Sequence, residues 1–210
     1  MGKSMLPKNI LKNYEVFEWK NATAILKYDY PAEYDDLIDV LDHFSLPKSD
    51  IIAPGGRKSP IAKNINGSFY SKGWLETKFE LEIEITETGN PHNGQEKAVN
   101  HYKYSVPTHQ IDYYKNSIAV ETEWNNKDPF YDRDLNNFRL LHEFEIISVG
   151  VFITRATDLQ ILFNQLGKGS SYGSSTTHMD KLVPRIQADG SGSCPVLAFA
   201  ITDKLYDPNQ

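Results

Sequence analysis

One cysteine, Cys194, stands among 210 residues, which excludes an internal disulfide framework and any zinc site built on several cysteines. It opens the apolar run CPVLAFAIT, with no neighbour in sequence that would lower its pKa, so it reads as a small buried thiol. Long apolar runs are missing as well. No stretch approaches the roughly 18 residues that a membrane helix needs, and the opening MGKSMLPKNILKNYEVFEW lacks the apolar core of a secretory signal. The expectation is therefore a cytoplasmic chain with no membrane partner. Net positive charge is also lacking: the formal charge is −6, which speaks against indiscriminate binding to polyanions. A sum does not fix an arrangement, however, and a metal-dependent nuclease needs acids at its centre. We find no internal repeat, low-complexity tract or domain-separating linker, and no Walker-type loop, HExxH helix or Ser-His-Asp arrangement.

What is present is enough for one compact domain spanning 1–210, with 40% hydrophobic and 12% aromatic residues to fill a core. YEVFEWKNATAILKYDY alternates in part like a strand. AEYDDLIDVLDHF after Pro31 is a helix, with Leu37, Ile38, Leu41 and Phe44 inward and Asp35, Asp36, Asp39 and Asp42 outward. PKSDIIAPGGRKSP reads as an exposed, locally basic loop, either ordinary solvated chain or a phosphate contact, and a short helix follows from Pro60 to near Gly73. ETKFELEIEITETG alternates Phe79, Leu81, Ile83 and Ile85 with Glu80, Glu82 and Glu84, a strand with one wet face whose charges discourage edge pairing. HYKYSVPTHQIDYYKNSIAVETEWNN reads as two strands turning at Lys115-Asn116-Ser117. A helix then buries Leu135, Phe138, Leu141 and Phe144. IISVGVFITR and PVLAFAITD are strands buried on both faces, separated by a helix ending at Gly167 and by a polar loop leading into a further helix. The fold class expected is α/β, a central mixed β-sheet flanked by helices.

The chemistry concentrates on one hairpin. Side chains alternate along a strand, so Ala119, Glu121 and Glu123 share one face and Val120, Thr122 and Trp124 the other. If the turn pairs the two strands, Asp112 approaches Glu121 across the ladder and makes a third acid in a small volume. Like charges that close are unfavourable unless protons or a cation intervene, and oxygen donors suit a hard divalent ion such as Mg²⁺. Such an ion lowers the pKa of a bound water and neutralises charge developing on a phosphodiester. The bland alternative is a solvated acidic face like that of Glu80 to Glu84.

Asp112, eight intervening residues and then Glu121-Thr122-Glu123 resemble the PD-(D/E)xK nuclease signature with its lysine replaced. Around it, KSPIAKNINGSFYSKGW, IDYYKNSIAVETEW, SSYGSSTTHMDKLVPRI and CPVLAFAIT resemble, in the same order, segments of the BglII and BstYI group of type II restriction endonucleases, from about residue 55 to residue 203. The resemblance implies a restriction-endonuclease-like fold, Mg²⁺ as cofactor with Mn²⁺ able to substitute and Ca²⁺ supporting binding without cleavage, and double-stranded DNA as substrate. It also implies a homodimer acting on a short palindrome in a prokaryotic cytoplasm, with a GATC core and a four-base 5′ overhang. Asp112 and Glu121 would be the metal-binding carboxylates and the carbonyl of Thr122 a further ligand. Glu123 takes the lysine's place, where BglII and BstYI carry glutamine and BamHI carries Glu-x-Glu, either as water activator or as ligand to a second metal. The usual proline before the first aspartate is absent, Gln110 and Ile111 standing there.

By the same resemblance Asn125 and Asn126 occupy a base-reading position, since an amide donates and accepts at once on a base edge; otherwise they end a strand. Ser170, Ser171, Ser174, Ser175, Thr176 and Thr177 suit helix capping or DNA contact. Arg57, Lys58, Lys63 and Lys181 are candidate phosphate contacts, and His178 has no acidic orienter nearby that would mark a general base. A non-cleaving DNA-binding or regulatory module and a repair or structure-specific nuclease are the rival functions; intact Asp112, Glu121 and Glu123 argue against the first.

Overall fold

The computed structural model describes residues 5–54, 59–92 and 97–210. In chain order the elements are α1 (Lys8–Asn13), β1 (Tyr14–Trp19), α2 (Ala22–Asp29), α3 (Pro31–His43), β2 (Leu46–Pro47), α4 (Lys48–Ile52), α5 (Pro60–Tyr70), β3 (Leu75–Thr77), β4 (Leu81–Thr88) and β5 (Val99–Val106). They continue with β6 (Ile111–Lys115), β7 (Ile118–Thr122), α6 (Phe130–Glu143), β8 (Val149–Arg155), α7 (Leu159–Gln165), α8 (Met179–Gln187), β9 (Val196–Ile201) and β10 (Tyr206–Asp207). By Cα proximity the chain falls into two compact units, Met1–Thr77 with Ile111–Gln210, and Lys78–Gln110.

The first unit is built on a six-stranded sheet in the order β1-β9-β8-β7-β6-β3. Strands β7, β8 and β9 run parallel, while β6 lies antiparallel to β7 and β1 antiparallel to β9. This is the mixed sheet with helices that the sequence predicts. The near-continuous apolar runs of β8 and β9 are buried at every residue, as parallel strands covered on both faces must be. One face, with Val120, Val151, Leu197 and Phe199, packs with α3, α5 and α7 into the main core. The opposite face carries Phe152, against which Tyr131 and Phe138 of α6 pack at ring-centroid distances of 5.8 and 5.1 Å.

Local chemistry explains the turns between these strands. Asn116 and Ser117 both adopt positive φ, 44° and 66°, in the two-residue connection of β6 to β7, a backbone that asparagine tolerates well. Ser59 caps α5 by accepting from the Ala62 N–H, and Pro60 follows it in the first turn. The N-terminal stretch expected to alternate as a strand is a strand only through Trp19. Lys20 and Asn21 then turn with positive φ and α2 begins.

Three further expectations change. Residues 75–88 form two strands in different sheets: β3 pairs with β6, and β4 pairs with β5 as a separate antiparallel hairpin. His101–Val106, read as part of a strand preceding the turn at Asn116, belongs to that hairpin. Period-two alternation identifies an extended segment without naming its partner, which is why the two were merged. The hairpin's cross-strand pairs Ile83 with Tyr104 and Ile85 with Tyr102 give it one apolar face, while Lys103 lies between Glu82 and Glu84 on the other. Phe144, placed on the buried face of α6, is 48% exposed, because the helix ends at Glu143 and the chain turns away through Glu145 at φ 57°.

Gly150 on β8 has no room for a side chain: a Cβ there would lie 2.3 Å from Cδ2 of Phe138. Gly150→Ala is expected to cost about 1–3 kcal/mol through overpacking, and the double variant with Phe138→Leu to cost less than the sum of the two single changes, both read by urea unfolding.

Candidate active site at the end of a central strand

The site grows out of the β6–β7 ladder. The register pairs Tyr113 with Val120 and Tyr114 with Ala119, so the next pair along the same ladder is Asp112 with Glu121. Hydrogen bonds close it: the Asp112 N–H donates to Glu121 Oε2 at 3.3 Å, and the Thr122 N–H donates to Asp112 Oδ2 at 2.9 Å. Beyond the strand end, the Glu123 N–H donates to the Ile153 carbonyl of β8 at 2.9 Å. Across a trans peptide the Thr122 carbonyl therefore points the other way, toward the side where Asp112 lies. The Glu123 carbonyl accepts from the Thr154 hydroxyl at 2.8 Å, and that hydroxyl also meets the Tyr131 hydroxyl of α6 at 2.6 Å. Residues of β6, β7 and β8 thus hold the three acids that the sequence singled out.

A fourth acid joins them. Asp134 of α6 is fully buried beside Glu123, the two carboxyls shifting each other's titration, and its Oδ2 has no hydrogen-bond partner. Arg133 clamps it from outside: its Nε and Nη2 both lie 2.8 Å from Asp134 Oδ1, and Nη2 is 3.7 Å from Glu123 Oε1. The guanidinium also rests over the Phe130 ring, 4.3 Å from its centroid. Asn126 donates from Nδ2 to Glu123 Oε2 at 2.8 Å. Asp134 and Arg133 were not among the residues the sequence pointed to. The signal for Asp134 lay in its spacing, three residues after Tyr131 and four before Phe138, on the stripe of α6 that faces the sheet.

The electrostatics follow from this burial. Glu121 is 1% exposed and its Oε1 has no hydrogen-bond partner. Burial first, then the charges of Asp134, Asp112 and Glu123, push its carboxyl well above the ordinary range. Glu123 is pushed up by burial and then by Asp134, with the Asn126 hydrogen bond pulling the other way. Burial also raises Asp134, against the opposing pull of Arg133.

Among the described residues no three His, Cys, Asp or Glu side chains are already grouped as ligands around one point. The donor set nevertheless fits a hard divalent cation. Asp112, Glu121 and the Thr122 carbonyl offer only oxygen, and a buried carboxylate oxygen without a partner is the kind of uncompensated group that a cation satisfies.

The candidate DNA-contacting residues come together in part. Asn125 donates from Nδ2 to the Ser171 carbonyl at 3.0 Å, the Thr177 N–H donates to the Asn126 carbonyl at 2.9 Å, and the Asp128 N–H donates to the Ser175 carbonyl at 3.1 Å. Lys127 and Thr176 form an isolated antiparallel bridge. The chain leaving β7 is thereby laced to the serine- and threonine-rich segment before α8. Ser170, Ser171, Ser174, Ser175, Asn125 and Asn126 are exposed there, while Thr177 is fully buried and Thr176 is partly so. Lys181 bonds inward, to Asp128 at 3.0 Å and to the Ser174 carbonyl. Lys63 stands exposed on α5, and Arg57 and Lys58 lie outside the described residues. His178 precedes α8 with extended backbone, its Nδ1 2.9 Å from the Thr157 hydroxyl, and burial lowers its pKa.

Oxygen donors gathered at the end of a central strand, beneath an exposed strip of amides and hydroxyls, define a class of centre suited to hydrolysing phosphate esters. The comparison with protein families is specific: the family described as restriction endonuclease BglII/BglIII matches residues 14–201, and the chain belongs to that family. Its members are type II site-specific restriction endonucleases acting on DNA. No curated protein matches the sequence.

The uncompensated burial of Glu121 has a measurable consequence in the presence of EDTA. Its ordinary carboxyl value is 4.5 and the folded value is higher, so its contribution to stability is fully present below that pH and is lost as pH rises toward the folded value. Glu121→Gln, which keeps the Oε acceptor and removes the charge, is expected to be about 1–3 kcal/mol more stable than the parent near pH 8, with the gain vanishing near pH 4. Melting curves across that range measure it.

Proposed function

We propose that the chain is a Mg²⁺-dependent endonuclease of the PD-(D/E)xK type. It cuts double-stranded DNA at a short palindrome, with Asp112, Glu121 and the Thr122 carbonyl holding the cation. The observation that carries this reading is the closed pair of Asp112 and Glu121 around the end of β7, with one Glu121 oxygen left unsatisfied in the interior. When bound, the cation supplies a water of lowered pKa and neutralises charge on the scissile phosphate. The protein's own part is to fix three oxygens on two hydrogen-bonded strands, so that little reorganisation is required at reaction.

One oxygen of Glu123 accepts from Asn126, and Arg133 Nη2 stands 3.7 Å from the other, with Asp134 beside it. Glu123 is accordingly assigned to orienting the attacking water, and it would accept a proton only once a bound cation had drawn its raised pKa down. Asn126 keeps one N–H and its Oδ1 for a base edge while bonded to Glu123, so base reading and water handling meet in one side chain. Ser170, Ser171, Ser174 and Ser175 supply backbone or base contacts beside it, and Lys63 a phosphate contact. Arg57 and Lys58 are assigned to phosphate contact on their sequence alone.

A palindrome favours a two-fold homodimer, since identical subunits then cut one strand each. We assign the activity to a prokaryotic cytoplasm, with a six-base site containing GATC and a 5′ overhang as the specific expectation; sequencing the ends of cut DNA reads both.

Asp112→Asn and Glu121→Gln are expected to abolish cleavage in Mg²⁺ while retaining specific binding in Ca²⁺; near-parental cutting by either overturns the ligand assignment. Glu123→Ala should lose at least about 100-fold in cleavage rate, and Glu123→Lys should not restore it, because an ammonium neither accepts a proton from water nor accepts the Asn126 hydrogen bond. Full activity of Glu123→Ala would reduce this acid to a structural group.

Loss of Asn126 should act on discrimination. Asn126→Ala is expected to narrow the affinity gap between the cognate site and single-base variants by roughly 1–3 kcal/mol, measured by competition binding in Ca²⁺. An unchanged gap would remove Asn126 from base reading.

A further inference from the structure

Arg155 is the last residue of β8, 1% exposed, and one of the largest fully buried side chains in the described chain. A guanidinium is costly to bury, and the usual compensation is a carboxylate. Arg155 instead directs Nη2 to the Tyr172 carbonyl at 3.2 Å and to the Thr176 hydroxyl at 2.9 Å, leaving Nε without a partner. The group lies 5.5 Å from the centroid of the Phe163 ring, and Phe163 stacks on Tyr172 at 4.0 Å. The Thr176 hydroxyl passes the connection on by donating to the Gly173 carbonyl at 2.8 Å. Both bonds therefore end on the segment that carries Ser170 to Thr177.

The neighbour on the strand has the opposite assignment. Thr154 points to the other face of the sheet, where its hydroxyl holds the Glu123 carbonyl, and the Ile153 carbonyl holds the Glu123 N–H. Three consecutive residues at the end of β8 thus fix the catalytic acid on one side and the serine-rich segment on the other. The bridge between Lys127 and Thr176 closes the loop, since Thr176 is both the partner of Arg155 and the partner of the chain that leaves Glu123.

We infer that Arg155 is a positioning residue for sequence discrimination: its buried guanidinium sets the Tyr172–Thr176 backbone against the Asn125–Asp128 strip, so that the two DNA-facing segments present one surface in register with Glu123. The inference rests on the reading of those segments as the DNA contact. Arginine suits this place because a single Nη2 donates to both the carbonyl and the hydroxyl while the guanidinium lies 5.5 Å from the Phe163 ring, whereas a lysine ammonium is a more strongly hydrated point charge on a differently shaped stem. Nothing in this role touches the cation ligands.

The test uses the full-length enzyme with Arg155→Lys, and with Thr176→Val as a milder change that removes only the hydroxyl at the far end of the bond. Two quantities are read: the ratio of affinities for the cognate site, identified from the ends of cut DNA, and for single-base variants in Ca²⁺; and the rise in melting temperature produced by Mg²⁺ alone. The expected result is a discrimination ratio lowered at least about tenfold in both variants, with the Mg²⁺-induced rise unchanged. Thr176→Val decides the matter should Arg155→Lys fail to fold. An unchanged ratio in folded protein overturns the inference, as does a parallel loss of discrimination and of the Mg²⁺ response, which marks Arg155 as general scaffolding. Parental enzyme that cuts without ordered fragments overturns the reading of the DNA-facing segments, and this inference with it.

Discussion

The burial of Glu121 without a counter-charge is the constraint to which the rest of the site answers. A carboxylate in the interior costs several kcal/mol unless it is protonated or paired, and here its nearest charged neighbours are other acids. The fold does not relieve this with a lysine or arginine against Glu121. It places Arg133 one step away, on Asp134 and Glu123, and leaves Glu121 Oε1 unsatisfied. Stability is therefore withheld at the point where a cation would restore it, within strands that are buried and paired. Every residue of β7 is buried, β8 pairs with it along its whole length, and β6 pairs with Ile118 to Val120.

That pairing explains how much of the site was legible from sequence. The β6–β7 turn is local chemistry, and alternation then forces Glu121 onto the face opposite Val120 and opposite Asp112 across the ladder. Two strands and one turn settle three acids, so hairpin arithmetic suffices. Asp134 escaped because it arrives from a helix whose contact with the sheet is tertiary: a charged residue in an amphipathic pattern reads as surface, and only the packing of Tyr131 and Phe138 on Phe152 turns position 134 inward. Arg133 is half outside that stripe and becomes meaningful only through its neighbour.

The same boundary between local and tertiary information separates the other elements. The long apolar runs of β8 and β9 declared themselves as strands buried on both faces, while their parallel pairing came from the fold. The alternation of residues 75–88 was also real, yet it did not reveal that Leu75–Thr77 joins the main sheet while Leu81–Thr88 pairs with Val99–Val106. Extended structure is a property of a segment, whereas a partner is a property of the whole chain. For the same reason the Asn-Asn pair and the serine-rich stretch, more than forty residues apart, gave separate and weak signals until hydrogen bonds joined them to each other, with Asn126 bonded to Glu123.

A net charge of −6 now has a local meaning for an enzyme whose family acts on DNA. The strip that follows Glu123 carries amides, hydroxyls and one exposed cation, Lys127, while Lys181 and Arg185 are paired with Asp128. On the proposed reading, such a surface would gain less from phosphate attraction than a strongly basic one, and more of its affinity would come from hydrogen bonds that a matching base sequence completes. A buried Glu121 oxygen that the protein alone leaves unsatisfied acts in the same direction. On that reading both would hold back productive engagement until sequence and cation are present together, the selectivity that a site-specific nuclease requires among a large excess of other DNA.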